Sequence, residues 1–209
     1  LQLPASPVTP YGNLWKGEIA YRYEKYDEAI RYLSLYIQSG AVAQGEANPI
    51  TAKYDLGYSW MKKENCKQAL TSFESISKST TTAGTLEQDA YARSADCYFM
   101  LRDFARASAM YETVINNALG QSDYALFQKA QIAGIKNSTS KITILNSISR
   151  IYPKSSLVPD ANMEIASTYM ADEKFRDAIP YLTNVLNAPN GGGLKPAAYL
   201  NLGLSYYNL

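Results

Sequence analysis

One small residue recurs along this 209-residue chain at nearly constant spacing: Gly17, Gly57, Ala95, Ala130, Ala166 and Gly203, which stand 40, 38, 35, 36 and 37 residues apart. Twelve residues after an anchor comes a second small residue, Ala29, Ala69, Ala107 or Ala178. Large apolar residues keep phase with both. Four beyond the second small position stand Leu33, Phe73, Tyr111, Leu145 and Leu182, and three further on Tyr36, Ile76, Val114, Ile148 and Val185. Offsets of three, four and seven trace one face of a helix, whereas a strand would alternate with period two. A chain with this period is confined to a stack of similar units, because one unit alone cannot bury its apolar face.

Polar turns such as Arg22-Tyr23-Glu24-Lys25, Lys62-Lys63-Glu64-Asn65 and Ala171-Asp172-Glu173-Lys174 divide each unit into two helices. No alternating Val/Ile/Thr run sits between hairpin dipeptides, so no strand is expected. Two antiparallel helices approach closely only where no side chain intrudes. The first small residue is therefore read as facing the second, with the large residues a turn away filling the space beside them. The predicted fold is all-α: a right-handed α-α superhelix of five helix hairpins and a lone terminal helix. In the fourth copy Lys141 takes the second small position one residue early, which makes the turn at 135–138 one residue short.

These residues carry a family resemblance. The phrases Gly17-(x)8-Tyr26-Asp27-Glu28-Ala29-Ile30 and Phe175-Arg176-Asp177-Ala178-Ile179 resemble the tetratricopeptide repeat. So do Leu56-Gly57 ahead of Ala69 and Phe73, and Leu202-Gly203 followed by Tyr206. The resemblance covers residues 11–209, with repeats at about 11–40, 50–79, 88–118, 123–153 and 159–188, a partial one at 196–209, and a leading linker at 1–10. It departs from the family in its long linkers, in Lys141, and in having few closing prolines besides Pro153. Tyr152-Pro153-Lys154-Ser155 followed by Pro159-Asp160-Ala161 is similar to repeats of bacterial envelope proteins, the outer-membrane assembly lipoprotein and the Tol-Pal-associated periplasmic protein. Pro153 would stop one helix and Pro159 would open the next. The resemblance implies a periplasmic or envelope-associated, non-catalytic scaffold that binds a peptide or protein along its concave groove. Failing that, the chain is cytoplasmic.

Counting from each anchor, positions −3, +1 and +5, flanked by −2 and +4, line that groove. They include Leu14, Glu18 and Arg22, then Asp55, Lys62, Asp96 and Met100. The residues expected to hold the partner are Trp15, Tyr54, Tyr58, Met61, Arg93, Phe99, Phe127, Gln131, Met163 and Met170. Aromatic and methionine side chains offer large, adaptable contact area to a peptide. The competing reading is that the same aromatics pack against the next repeat. A glycan-binding module of a carbohydrate-uptake lipoprotein is the functional alternative, since aromatic platforms stack on sugars. Against it, in the lipoproteins it would resemble long insertions between repeats form the sugar site, and here the longest linker is about 12 residues, 39–50. The Lys/Asn clamp by which chaperone-binding members of the family hold a C-terminal carboxylate is missing from the −3 and +1 positions.

Composition closes off other classes. Twenty Lys+Arg against 19 Asp+Glu leave a formal charge of +1, too little to draw nucleic acid or an anionic membrane. With no His, all His-dependent catalysis and His-ligated metal sites are excluded. Two Cys cannot make a disulfide scaffold or a four-thiolate site. No cofactor, no metal and no enzymatic activity are expected. No apolar run is long enough to span a bilayer, so direct membrane insertion is not expected either.

Of the 18 Tyr, eight hold packing positions, among them Tyr36, Tyr111, Tyr199 and Tyr206, and six, including Tyr54 and Tyr58, fall on the concave side. Cys66 and Cys97 are expected within a turn of each other, as two buried thiols or, in an oxidising compartment, as a bridge. Asn190-Gly191-Gly192-Gly193 reads as a loop, lacking the strand and Lys-Ser/Thr of a phosphate cradle. Asn137-Ser138-Thr139 matches a glycosylation sequon by chance. The terminal helix, 195–209, repeats the first-helix pattern and lacks its partner helix. It reads as the start of a continuing repeat or as a terminal cap, and its apolar surface as a candidate face for self-association.

Overall fold

The computed structural model describes residues 6–43, 45, 47–76 and 84–209. Among these residues there are eleven α-helices, one 3₁₀ turn and no strand. α1 (Thr9–Arg22) pairs with α2 (Tyr26–Ser39), and α3 (Pro49–Lys62) with α4 (Cys66–Glu74). α5 (Thr85–Met100) and α6 (Phe104–Asn116) follow, joined by the same three-residue turn. α7 (Ser122–Gly134) pairs with α8 (Ser138–Ile151), and α9 (Val158–Ala171) with α10 (Phe175–Asn187). A 3₁₀ turn, Gly192–Leu194, stands within the expected glycine loop and leads into α11 (Lys195–Asn208). The chain divides into two compact units, one up to Met110 and one from Tyr111, the division falling inside α6.

Helix ends follow local chemistry. Asn48 caps α3 by accepting from the backbone N–H groups of Ile50 and Thr51, while Thr51 Oγ1 accepts from Asn48 N in return. Asn65 caps α4 and Asn137 caps α8, so the residue of the apparent sequon serves as a helix cap. Pro153 follows the end of α8, and Pro159 lies in the first turn of α9, as the spacing predicted. The leading linker is shorter than expected, because α1 already starts at Thr9 with Pro10 in its first turn, where proline loses no hydrogen bond. Residues 1–5 of that linker and the end of the second repeat, 77–79, lie outside the described residues. α4 ends at Glu74, sooner than the repeat predicts, and Ser75 Oγ turns back to bond the Ser72 carbonyl.

In the first unit α1 to α5 pack in succession, α1 also meets α3 and α3 meets α5, and in the second α7 to α11 pack in succession. The anchors are buried as predicted: Gly17, Gly57, Ala95, Ala130 and Ala166 on the first helices, Ala29, Ala69, Ala107 and Ala178 on the second. Their role differs in one respect from the expectation. At the glycines the space is filled by the large residue rather than by the second small one. A Cβ on Gly17 would stand 2.6 Å from Leu33 Cγ, and a Cβ on Gly57 would stand 2.6 Å from Phe73 Cε1.

Four of the turns share a left-handed residue, Glu24, Glu64, Arg102 and Glu173, each with φ near +60°. In the first, Tyr23 N, Glu24 N and Lys25 N bond back to Ile19, Tyr21 and Ala20, closing the end of α1. The fourth turn, residues 135–137, has no such residue, and Asn137 N bonds Ala133 O with ordinary helical spacing. The residue missing from the fourth copy is therefore the left-handed one. Lys141 is accommodated because its stem runs over Gly134, where a Cβ would stand 2.6 Å from Lys141 Cδ, and its ammonium pairs with Glu164.

At Gly203 nothing lies within 4 Å of the position a Cβ would take. Tyr199, Leu204 and Tyr206 are exposed, so two tyrosines read as packing residues do not pack here. Opposite outcomes are predicted at equivalent positions. Gly57→Ala loses about 1–3 kcal/mol by displacing Phe73, whereas Gly203→Ala gains up to about 1 kcal/mol of helix propensity. Urea unfolding of both variants checks this, and equal signs would contradict the notch.

Candidate functional site

The groove residues of the first unit lie on α1, α3 and α5. Trp15 is 55% exposed. Tyr54, Tyr58, Met61, Arg93 and Phe99 are half-buried, and most of them are tied to neighbours. Tyr54 and Tyr58 stand 4.9 Å apart between ring centres and set their edges on Phe73, at 6.1 and 5.6 Å. Both hydroxyls donate to Asp89 Oδ2 of α5, at 2.5 and 3.1 Å. Arg93 bridges Asp89, at 3.4 Å, and Asp96, at 2.5 Å. Burial raises both phenols above the ordinary tyrosine range, with the bond to Asp89 adding to the rise at Tyr54. Met61 borders the Phe73 cluster, and Phe99 meets Phe104 edge-on at 5.6 Å.

In the second unit Phe127, Gln131, Met163 and Met170 are again half-buried. Phe127 packs against the core of Leu126, Leu145 and Ile165. Met163 and Met170 pack against that of Leu182, Val185 and Ala198. The stripe thus forms a braced surface: its rings and thioethers contribute both to packing between repeats and to the outer face. Asp89 was missed from sequence because it lies outside the counted groove positions. The available signal was an acid one helical turn before Arg93, one repeat after Tyr54.

Three charged positions counted toward the groove come together on α1 and α3. Arg22 bonds Glu18 Oε1 at 2.8 Å, and the side chains of Asp55 and Glu18 are hydrogen-bonded to each other. Burial, then the bond to Glu18 and its charge, push Asp55 up to about 9, against a smaller downward pull from Arg22. The two carboxyl groups therefore keep one proton between them into the neutral range. Glu18 Oε2 is buried, and no side-chain or backbone N–H reaches it. Tyr21 beside them is raised chiefly by burial, with Asp55 and Tyr58 adding to the effect.

A separate cavity of about 470 Å³ lies in the second unit, between the α6–α7 and α8–α9 loops. Leu119, Ile151, Tyr152 and Pro153 form its apolar walls, and Ser155 donates to Asp123 at its edge, at 2.5 Å. Ala118 and Gln121, both with positive φ, shape the α6–α7 side. Cys66 and Cys97 are buried free thiols rather than a bridge. Among the described residues no group of three or more Cys, Asp or Glu could hold a metal ion, and no helix is long and apolar enough to cross a membrane.

No family model matches the chain, and no curated protein matches it. Solved structures do. The chain is similar to the C-terminal part of a TPR repeat-containing protein from Cytophaga hutchinsonii, with TM-score 0.71 and 13% identity over 93% of this chain and 70% of that one. It is similar to a tetratricopeptide repeat protein from Parabacteroides merdae, with TM-score 0.68 and 14% identity over 96% and 73%. MamA from Desulfovibrio magneticus gives TM-score 0.67 and 14% identity over 87% and 96%. At such identities the likeness concerns the fold, and the fold is the all-α, α-α solenoid of tetratricopeptide repeats.

The Asp55 proton has a measurable consequence. The folded chain holds it up to about 9, the unfolded chain only to about 4. Stability is therefore lost as pH rises between those values. Asp55→Asn, which keeps a donor toward Glu18, is expected to flatten the fall in Tm from pH 5 to 9. An unchanged slope in the variant would count against the shared proton.

Proposed function

We propose that the chain is a non-catalytic protein-interaction scaffold that holds a peptide or protein segment on the first-helix faces of its repeats. The observation that carries this reading is the braced aromatic face of the first unit. Tyr54 and Tyr58 are held edge-on to Phe73 with their hydroxyls on Asp89. Rings fixed before a partner arrives lose little conformational entropy on binding, so their contact area converts into affinity more fully. Trp15, exposed on α1, has the large flat surface typical of an interface anchor. The methionines of the second unit add adaptable contacts. The fold shared with tetratricopeptide-repeat proteins supports the same reading. The segment Tyr152-Pro153-Lys154-Ser155 with Pro159 supports placing the scaffold at a bacterial cell envelope.

Photo-crosslinking from positions 15, 61 and 163, replaced one at a time by a benzophenone amino acid in source cells, tests the proposal. A common partner is expected at all three. Trp15→Ala should reduce its capture about tenfold, the effect of losing one strong anchor, with Tm nearly unchanged because the side chain is exposed. Crosslinks that trap no common partner, or capture that survives Trp15→Ala together with Met61→Ala and Met163→Ala, would overturn it. Fractionation of the same cells tests the compartment, and recovery in the cytosol alone would remove the envelope placement.

A further inference from the structure

One cluster in the first unit has a chemistry that neither the packing nor the peptide face uses. Three sulfurs meet where α4 begins against the last turn of α5. Cys66 is the first residue of α4, and Cys97 and Met100 lie three residues apart on α5, hence on one face. Cys66 Sγ is 3.4 Å from Met100 Sδ, and the two thiols share a hydrogen bond. Cys97 is wholly buried and Cys66 is 4% exposed, while Met100, at 52%, opens to solvent.

We propose that Cys66, Cys97 and Met100 form a three-sulfur site for a soft monovalent cation of the Cu(I) class, for which Ag(I) is the laboratory equivalent. Two thiolates and a thioether form a soft donor set of the kind that selects Cu(I), whereas carboxylate and water suit Mg, Ca and Mn. The chain has no His. The nearby carboxylate of Asp96 is engaged by Arg93 at 2.5 Å. Zinc takes thiolate, imidazole and carboxylate ligands, three or four to a site, and this cluster offers only two of those, the thiolates.

Cys66 touches both other sulfurs, Met100 directly and Cys97 through a hydrogen bond, so one ion at Cys66 has all three within reach. Metal–sulfur bonds of about 2.3 Å in a plane would hold the three sulfurs about 4 Å apart. The Cys66–Met100 pair, at 3.4 Å, needs only a small outward shift of a flexible, exposed side chain. Met100 is also the way in, and the apolar surroundings of the thiols keep water out. Binding transfers no electrons: one Cu(I) or Ag(I) replaces two thiol protons, which pass to solvent, and gains the thioether lone pair. The complex then carries one negative charge at the N-terminus of α4, which favours it; of the nearby charges the Arg93 guanidinium favours it too, while the Asp96 carboxylate that Arg93 holds opposes it. The ion would clip the second hairpin to the third, and so raise the stability of the first unit by mass action.

The test uses the full chain, reduced and free of small thiols. Ag(I) is titrated first, because air does not convert it, as it converts Cu(I), to a divalent ion that would oxidise the cysteines to a bridge. Cu(I) follows, in competition with a chromophoric Cu(I) chelator. One equivalent is expected, with two protons released per ion, both thiols protected from alkylation and Tm raised. Met100→Leu, at an exposed position where folding is not at stake, should weaken binding at least about tenfold, and Cys97→Ser should abolish it. Failure of the wild-type chain to bind in competition, equal affinity in Met100→Leu, or displacement of Cu(I) by equimolar Zn(II) would each overturn the site.

Discussion

The structure depends on one contact: a helix backbone left bare by glycine, into which a large side chain of the paired helix is pressed. Leu33 occupies the notch at Gly17 and Phe73 the notch at Gly57. Phe73, held there without exposure, becomes the surface against which Tyr54 and Tyr58 set their edges. The tyrosines then direct their hydroxyls to Asp89 of the following repeat, and Asp89 orients Arg93 toward Asp96. Packing inside one hairpin thus decides the geometry of the face between hairpins. A methyl group added at Gly57 would be felt along the whole series, because a close-packed interior transmits displacement rather than absorbing it.

Three polar contacts between repeats each span about one repeat of chain. Lys63 reaches Asp27, Tyr54 reaches Asp89 and Asn146 reaches Tyr181, across 36, 35 and 35 residues. Each span is one repeat, so these polar bonds set how far neighbouring hairpins slide. The fourth copy keeps this register despite its departures. It lacks the left-handed residue that ends the other first helices, and it carries a lysine where the others carry alanine. Gly134 makes room for the lysine stem, and Glu164 of the next hairpin takes up its charge. Two local irregularities compensate each other, which explains why the repeat pattern is weakest there yet the stack continues.

Legibility from sequence followed the kind of interaction involved. The helix pairs, the buried anchors and the proline-bounded fourth repeat were readable because each rests on local spacing. The groove residues were found as positions but not as partners: Asp89, which holds both tyrosines, lies on another helix and outside the counted stripe. Glu18, Arg22 and Asp55 were each counted as groove lining, while their shared proton arises only from burial on two helices at once. Met100 was read as a groove residue, although its sulfur turns to Cys66. Tyr199 and Tyr206 fit the packing pattern yet stand exposed, because periodicity marks a face without showing what covers it.

The sequence by itself determined the period, the helical class and the small residues that let helices cross, since these depend on residues a turn or a hairpin apart. It also excluded histidine chemistry outright. Tertiary structure alone decided which large side chain fills each notch, which tyrosine hydroxyls find a carboxylate, and where two acids share one proton. The notch depends on how closely the two helices of one hairpin cross. The other two outcomes depend on distances between helices some 35 residues apart in the chain, and on the low dielectric their contact creates. None of these quantities is written in local spacing.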